Sequence, residues 1–152
     1  MKAAICTAYG GPDVVHVLEV DAPIAKPDDV LIRVRATTVS SGDARIRGSN
    51  FPSGFWLPAR MFLGVKRPRT AILGTELAGV VEAVGSNVTR YRAGDRVVAF
   101  PGTRMGCHAE FRCVPENGAI AVMPAGFSFE EASAISFGGT TALYFLRDLG
   151  NV

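Results

Sequence analysis

Over roughly its first 125 residues the chain alternates apolar and polar positions with a period of two, interrupted by glycine, proline and asparagine. This pattern predicts a succession of short strands. "KAAIC" starts one and "VVHVLEV" a second, on either side of the Gly10-Gly11-Pro12 turn. "DDVLIRVRAT" alternates most clearly: Val30, Ile32, Val34 and Ala36 fall on one face, Arg33 and Arg35 on the other. "GVVEAVG" runs into a Ser86-Asn87 turn, "AGDRVVAF" is a turn feeding a strand, and "AIAVMP" ends the series. "CHAEFRCV", read as a strand, puts Cys107, Ala109, Phe111 and Cys113 on one face, with His108, Glu110 and Arg112 on a solvated one. Many short strands at close spacing imply a sandwich or barrel, so the expected fold class is mainly β with short helices.

Two segments read as helices. "SSGDARIRG" offers Ser40 as N-cap with Asp43 three residues on, a variant of the capping box. "FSFEEASAISFGGTTALYFLRDLGNV" places Ser128 before Glu131 and then follows a helical period with a break expected at Gly138-Gly139. Ala142, Leu143, Phe145, Leu146 and Leu149 share its spacing, and Gly150-Asn151 is the C-cap. That apolar terminal face suits docking back onto the barrel or contact with a further domain. Between the helices, "SNFPSGFWLPARMFLGVKRPRT" shows no clear period and reads as a long loop or mobile lobe.

At 152 residues with 48% apolar and 20% charged positions, the chain has the composition of one globular domain with a real core. No apolar run approaches the roughly 20 residues that span a bilayer, and the start shows no long apolar signal segment, so the expected compartment is cytoplasmic. Three cysteines, Cys6, Cys107 and Cys113, without C-x-x-C spacing, suit reduced thiols. A net charge of +2 makes no case for nucleic acid. The distribution is uneven, however. No acidic residue lies between Ala44 and Thr75, where Arg45, Arg47, Arg60, Lys66, Arg67 and Arg69 are found. This basic lobe also holds Phe51, Phe55, Trp56 and Phe62; it reads as a solvated loop whose aromatics cap the domain core or, among functional roles, as a wall for a flat apolar substrate ahead of a nucleic-acid or membrane surface.

Metal chemistry finds poor ligands. Catalytic zinc takes three Cys, His or carboxylate ligands. "GTELAG" supplies Glu76 beside a hydroxyl at Thr75, and "VSSGD" supplies only the hydroxyls of Ser40 and Ser41. Cys107, His108 and Cys113 read as core or surface residues and His16 as structural, so no metal site is expected. Asp95 suits turn geometry. Asp43 suits capping over catalysis. Glu76 is expected to be at least partly buried, with an arginine or a backbone N–H as partner.

The segments "MKAAICTAYGGPDVVHVLEV", "DDVLIRVRATTVSSGD", "ILGTELAGVVEAVGSNVTRYRAGDRVVAF", "GCHAEF" and "MPAGFSFEEASAISFGGTTALYFLRDLGNV", in this order and spacing, resemble the medium-chain dehydrogenase/reductase superfamily, in particular its zinc-free quinone oxidoreductase-like branch. The resemblance implies a GroES-like, partly open β-barrel at 1–124 as the catalytic, substrate-side domain. Residues 125–152 would be a helical lead-in to a Rossmann domain binding NADPH or NADH. No G-x-G-x-x-G occurs in the chain, so the resemblance implies an N-terminal portion, truncated or shortened, that is inactive alone. In the zinc alcohol dehydrogenases of the superfamily a cysteine stands at the place of Ser40 and a histidine at that of Thr75; their absence implies no zinc.

Ser40, Ser41 and Thr141, the last matching the family's "T-A" step, are expected to face the nicotinamide ribose or the substrate, and Phe51 and Trp56 to wall the pocket. The implied activity of the full protein is hydride transfer from NAD(P)H to a quinone or enone. A homodimer is compatible, and neither nucleic acid nor membrane is an expected partner. The alternative is a stand-alone, non-catalytic GroES-like binding module.

Overall fold

The structure, a computed structural model, describes residues 1–151. Strands β1 (Lys2–Cys6) and β2 (Val15–Glu19) form an antiparallel pair linked through a 3₁₀ turn at Pro12–Val14. Strands β3 (Asp29–Thr37), β4 (Leu77–Val84), β5 (Arg96–Ala99), β6 (Phe111–Pro115) and β7 (Ile120–Val122) make a second, antiparallel sheet in the order β6-β3-β4-β5-β7. Register shifts between Leu31 and Ile32 and between Val34 and Ala36 interrupt the β3–β4 ladder. Such bulges bend and twist a sheet, and this one curls into a half-barrel.

The core lies inside that curl. Val30, Ile32, Leu77, Val81, Val97, Val114 and Ile120 are buried together, as the alternation in "DDVLIRVRAT" requires of Val30 and Ile32. Tyr91 closes one end, its hydroxyl donating to the Ile120 carbonyl at 2.8 Å. Gly79 leaves no room for a side chain between β4 and β3: a Cβ there would stand 2.3 Å from the Arg33 carbonyl oxygen.

Three helices decorate the sheet: α1 (Ser41–Gly48), α2 (Trp56–Leu63) and α3 (Phe129–Leu143), the last continuing into a π-helical turn at Tyr144–Leu149. Both expected capping boxes form. Ser40 and Asp43 satisfy each other's backbone N–H groups at the head of α1, as do Ser128 and Glu131 at α3. The N-terminal half of α3 packs on the sheet through Ala132, buried against Ala78 and Met123.

Three expectations are corrected. First, "CHAEFRCV" is not one strand, because β6 begins only at Phe111. Met105 and Gly106 have positive φ and turn the chain. The N–H groups of Cys107 and His108 then donate to the carbonyls of Gly74 and Leu73, so Cys107 enters the core and His108 is half-buried rather than solvated.

Second, the presumed loop contains α2. Pro58 sits in its first turn, where an amide N–H has no helical partner to lose, so the proline does not break it. Third, α3 runs unbroken through Gly138-Gly139. The apolar residues beyond it, Leu143, Phe145, Leu146 and Leu149, do not dock back onto the barrel and are exposed.

Candidate functional site

The site is built around two buried carboxylates in the segments joining β3 to α1 and leading into β4. Asp43, in the first turn of α1, accepts the Ser40 N–H and the Ser40 hydroxyl at Oδ2, both at 2.8 Å. Its Oδ1 accepts the Gly74 N–H at 2.9 Å. Capping is therefore one half of its work, and tying α1 to the "LGTE" segment is the other. Gly74 has φ +91, and a Cβ there would lie 2.5 Å from His108 Cδ2, so both the backbone geometry and the neighbour demand glycine. The His108 ring in turn donates from Nε2 to the Thr38 carbonyl at 2.9 Å, which fixes the proton on that nitrogen.

Glu76, 5% exposed, stands just before β4. Thr38 donates its hydroxyl to Oε1 at 2.5 Å. Ser136 donates its own to Oε2 at 2.5 Å, and the Phe137 N–H reaches the same oxygen at 3.1 Å. A backbone N–H is present as expected; instead of an arginine, two hydroxyls complete the shell. Three donors thus occupy both oxygens of this buried side chain, as a buried polar group requires. They fasten α3 and the β3–α1 corner to one point. The Phe137 ring also stacks on Phe100 at 5.3 Å between centroids.

The residues singled out from the sequence fall in three places. Ser40 and Ser41 lie at the head of α1, the first bound to Asp43 and the second exposed. Thr141 is half-buried on α3, five positions after the Glu76-bound Ser136. The shared Glu76 anchor thus holds both hydroxyl-bearing segments. Trp56 is elsewhere, in a stack with Arg60, whose guanidinium carbon is 5.3 Å from its ring and 4.0 Å from that of Tyr9. Phe51 is half-buried. Among the described residues, no hydrogen bond or ring contact joins Phe51 or Trp56 to Ser40, Ser41 or Thr141.

Sequence reasoning missed Thr38, Ser136, Phe137 and the inward position of His108. A buried carboxylate announces that it needs donors, yet a hydroxyl 60 residues away carries no mark of that role.

Two hollows adjoin these groups. A cleft of about 270 Å³ between α3 and the sheet is lined by Phe100, Ser136 and Thr140. A second hollow of about 410 Å³, under α1, is lined mainly by apolar atoms of Cys6, Val15, Val39 and Leu73. The polar atoms at its edge are already engaged, Arg47 with the Gly10 carbonyl and Cys6 with that of Ala8.

Zinc does not fit this set of donors. The Ser40 hydroxyl is spent on Asp43, both Glu76 oxygens are occupied, and hydroxyls are poor zinc ligands. Among the described residues no three His, Cys, Asp or Glu side chains come together to hold an ion.

A curled antiparallel half-barrel with a capped helix at its end and a helix fastened across it is the architecture of the GroES-like domain of medium-chain dehydrogenases/reductases. The chain belongs to the alcohol dehydrogenase GroES-like domain family, whose model matches residues 26–125. It is 35% identical over 140 residues to a quinone oxidoreductase of Pseudomonas aeruginosa, covering 92% of this chain and 38% of that protein. The structure of Escherichia coli quinone oxidoreductase complexed with NADPH superposes with a TM-score of 0.78 at 27% identity, covering 98% of this chain and 41% of the other. That of the human synaptic vesicle membrane protein VAT-1 homolog-like protein superposes at 0.82 and 28%, covering 100% and 44%. The chain therefore spans about two fifths of these relatives' lengths.

Proposed function

We propose that this chain is the substrate-side part of a zinc-independent, NAD(P)H-dependent oxidoreductase that reduces a quinone or another conjugated carbonyl compound. The observation that carries the reading is the pair of hydroxyl side chains at Ser40, already spent on Asp43, and Thr75, the places where the zinc alcohol dehydrogenases of the superfamily keep a cysteine and a histidine. An alcohol or simple ketone needs a Lewis acid for its developing alkoxide. A conjugated acceptor spreads the arriving charge, so orientation and hydrogen-bond donors suffice. The naming of the Pseudomonas aeruginosa and Escherichia coli relatives as quinone oxidoreductases supports the same class.

The nicotinamide cofactor, when bound, supplies the hydride. Its nicotinamide end fits the hydroxyls of Ser41 and Thr141, which reach solvent and make no side-chain hydrogen bond among the described residues. Ser40, at the head of α1, completes the cofactor contact set, and α3 with its π-helical turn leads toward a dinucleotide-binding domain. Phe51 and Trp56 serve as outer walls for the substrate.

The test compares this chain alone with a longer protein in which it is continued by the remaining part of the Pseudomonas aeruginosa relative. The longer protein should oxidise NADPH with a small quinone at a rate unaffected by a strong chelator. The 152-residue chain should show no turnover. Activity abolished by chelation and restored by zinc would falsify the metal-free assignment. Turnover by the short chain would remove the need for a second domain.

A further inference from the structure

Helix α2 is folded the wrong way round for a helix facing water. A surface helix buries its apolar stripe and shows its polar one. Here Arg60, the one charged residue of α2, turns inward: it lies on the Tyr9 ring and donates to the Ser49 hydroxyl at 3.1 Å and to the Val65 carbonyl. The opposite face, from Leu57 through Met61 and Phe62, points outward with those side chains 62%, 62% and 73% exposed. Phe55 just before the helix and Val65 just after it are 70% and 65% exposed and extend the patch.

Beside the patch stand the exposed cations Lys66, Arg67 and Arg69, none of which is in an ion pair among the described residues. The nearest carboxylates along the chain are Asp43 and Glu76, and both are buried. An apolar ridge flanked by unneutralised cations is complementary to one kind of surface, a bilayer with anionic headgroups. The ridge enters the acyl boundary while the cations remain at the phosphates. The apolar end of α3 makes a contrast, because Arg147 there is paired with Asp148 and offers no net attraction. Nucleic acid suits the α2 patch poorly, since its centre is aliphatic and aromatic with no polar group to read a backbone.

We propose that α2 and the turn after it dock this protein peripherally on anionic phospholipid membranes, with Met61 and Phe62 inserted and Lys66, Arg67 and Arg69 on the headgroups. This assignment is independent of the redox reading and would survive its failure. A lipophilic acceptor, if that reading holds, would be met where it is dissolved.

The chain carries its own reporter, because Trp56, in the first turn of α2, is its only tryptophan. Vesicles of phosphatidylcholine with about one third phosphatidylserine should shift Trp56 emission to the blue and carry the protein down on sedimentation, and pure phosphatidylcholine vesicles should do neither. Raising salt from about 0.05 to 0.5 M should weaken binding at least fivefold, since exposed charges are screened. The double variant Met61→Ser/Phe62→Ser and the charge reversal Arg67→Glu alter exposed positions, so circular dichroism should stay unchanged while each weakens binding at least fivefold. Three results would overturn the proposal: no binding to anionic vesicles, binding indifferent to these substitutions, or α2-dependent self-association that replaces vesicle binding.

Discussion

Ser136 donates its hydroxyl to Glu76 Oε2 at 2.5 Å, fastening the middle of α3 to the start of β4 across 60 residues of chain. The other oxygen of the same carboxylate takes Thr38, so three elements meet on one buried group. Removing the acceptor takes the partner from two half-buried hydroxyls and from the Phe137 N–H. Glu76→Ala should therefore cost about 3 kcal/mol, and Ser136→Ala about 1–2 kcal/mol, on the scale of removing one partner of a buried hydrogen bond. Urea unfolding midpoints check this. An unchanged midpoint for Glu76→Ala would mean that the carboxylate is not the fastening point.

Gly74 meets two penalties if given a side chain, its φ of +91 and the His108 ring and backbone behind it. Gly74→Ala should destabilise by about 2–3 kcal/mol. Adding His108→Ala clears the ring but leaves the backbone N–H, 2.9 Å from the new Cβ, and the strained φ. The double variant should recover only part of the loss, a coupling that a double-mutant cycle resolves. Full recovery would assign the whole cost to the ring.

Cys107 is the buried thiol with the most to lose at high pH. Burial pushes it up to about 12; Arg112 opposes the shift, and Asp43 and Glu76 add to it. Its folded value thus lies above the ordinary thiol value of 9.0. The stability this group contributes is complete below about pH 9 and is lost as pH climbs toward 12. Cys107→Ala should flatten that alkaline decline. In the native protein at pH 8 a thiol reagent should modify the half-buried Cys113 first and spare Cys107 until unfolding. Equal rates for all three cysteines would contradict the placement.

The two glycines within α3 should separate on substitution. A Cβ at Gly138 meets nothing within 4 Å, so Gly138→Ala should stabilise by about 0.5–1 kcal/mol through helix propensity alone. At Gly139 the Cβ would stand 2.6 Å from Ile135 Cγ1, so that side chain must move and the gain should shrink to near zero. Thermal midpoints of the two variants test the difference, and a loss at Gly138 would restore the helix break that its sequence suggested.

Much was decided by the chain as written. The alternation of Val30 and Ile32 against Arg33 settled which face of β3 is buried, because side chains in a strand point in turn to opposite sides. The pairs Ser40–Asp43 and Ser128–Glu131 settled where α1 and α3 begin, because capping is a contact over three residues. The family was likewise legible in the order and spacing of short motifs. What required the tertiary structure were the contacts closed over long separations: Ser136 and Thr38 on Glu76, His108 turned in against Gly74, and Arg60 drawn under α2 by Tyr9. Local pattern carries information about neighbours a turn or a strand apart. The polar partner a buried group finds, and the face a short helix shows to water, depend on which distant segment the folded barrel brings beside it.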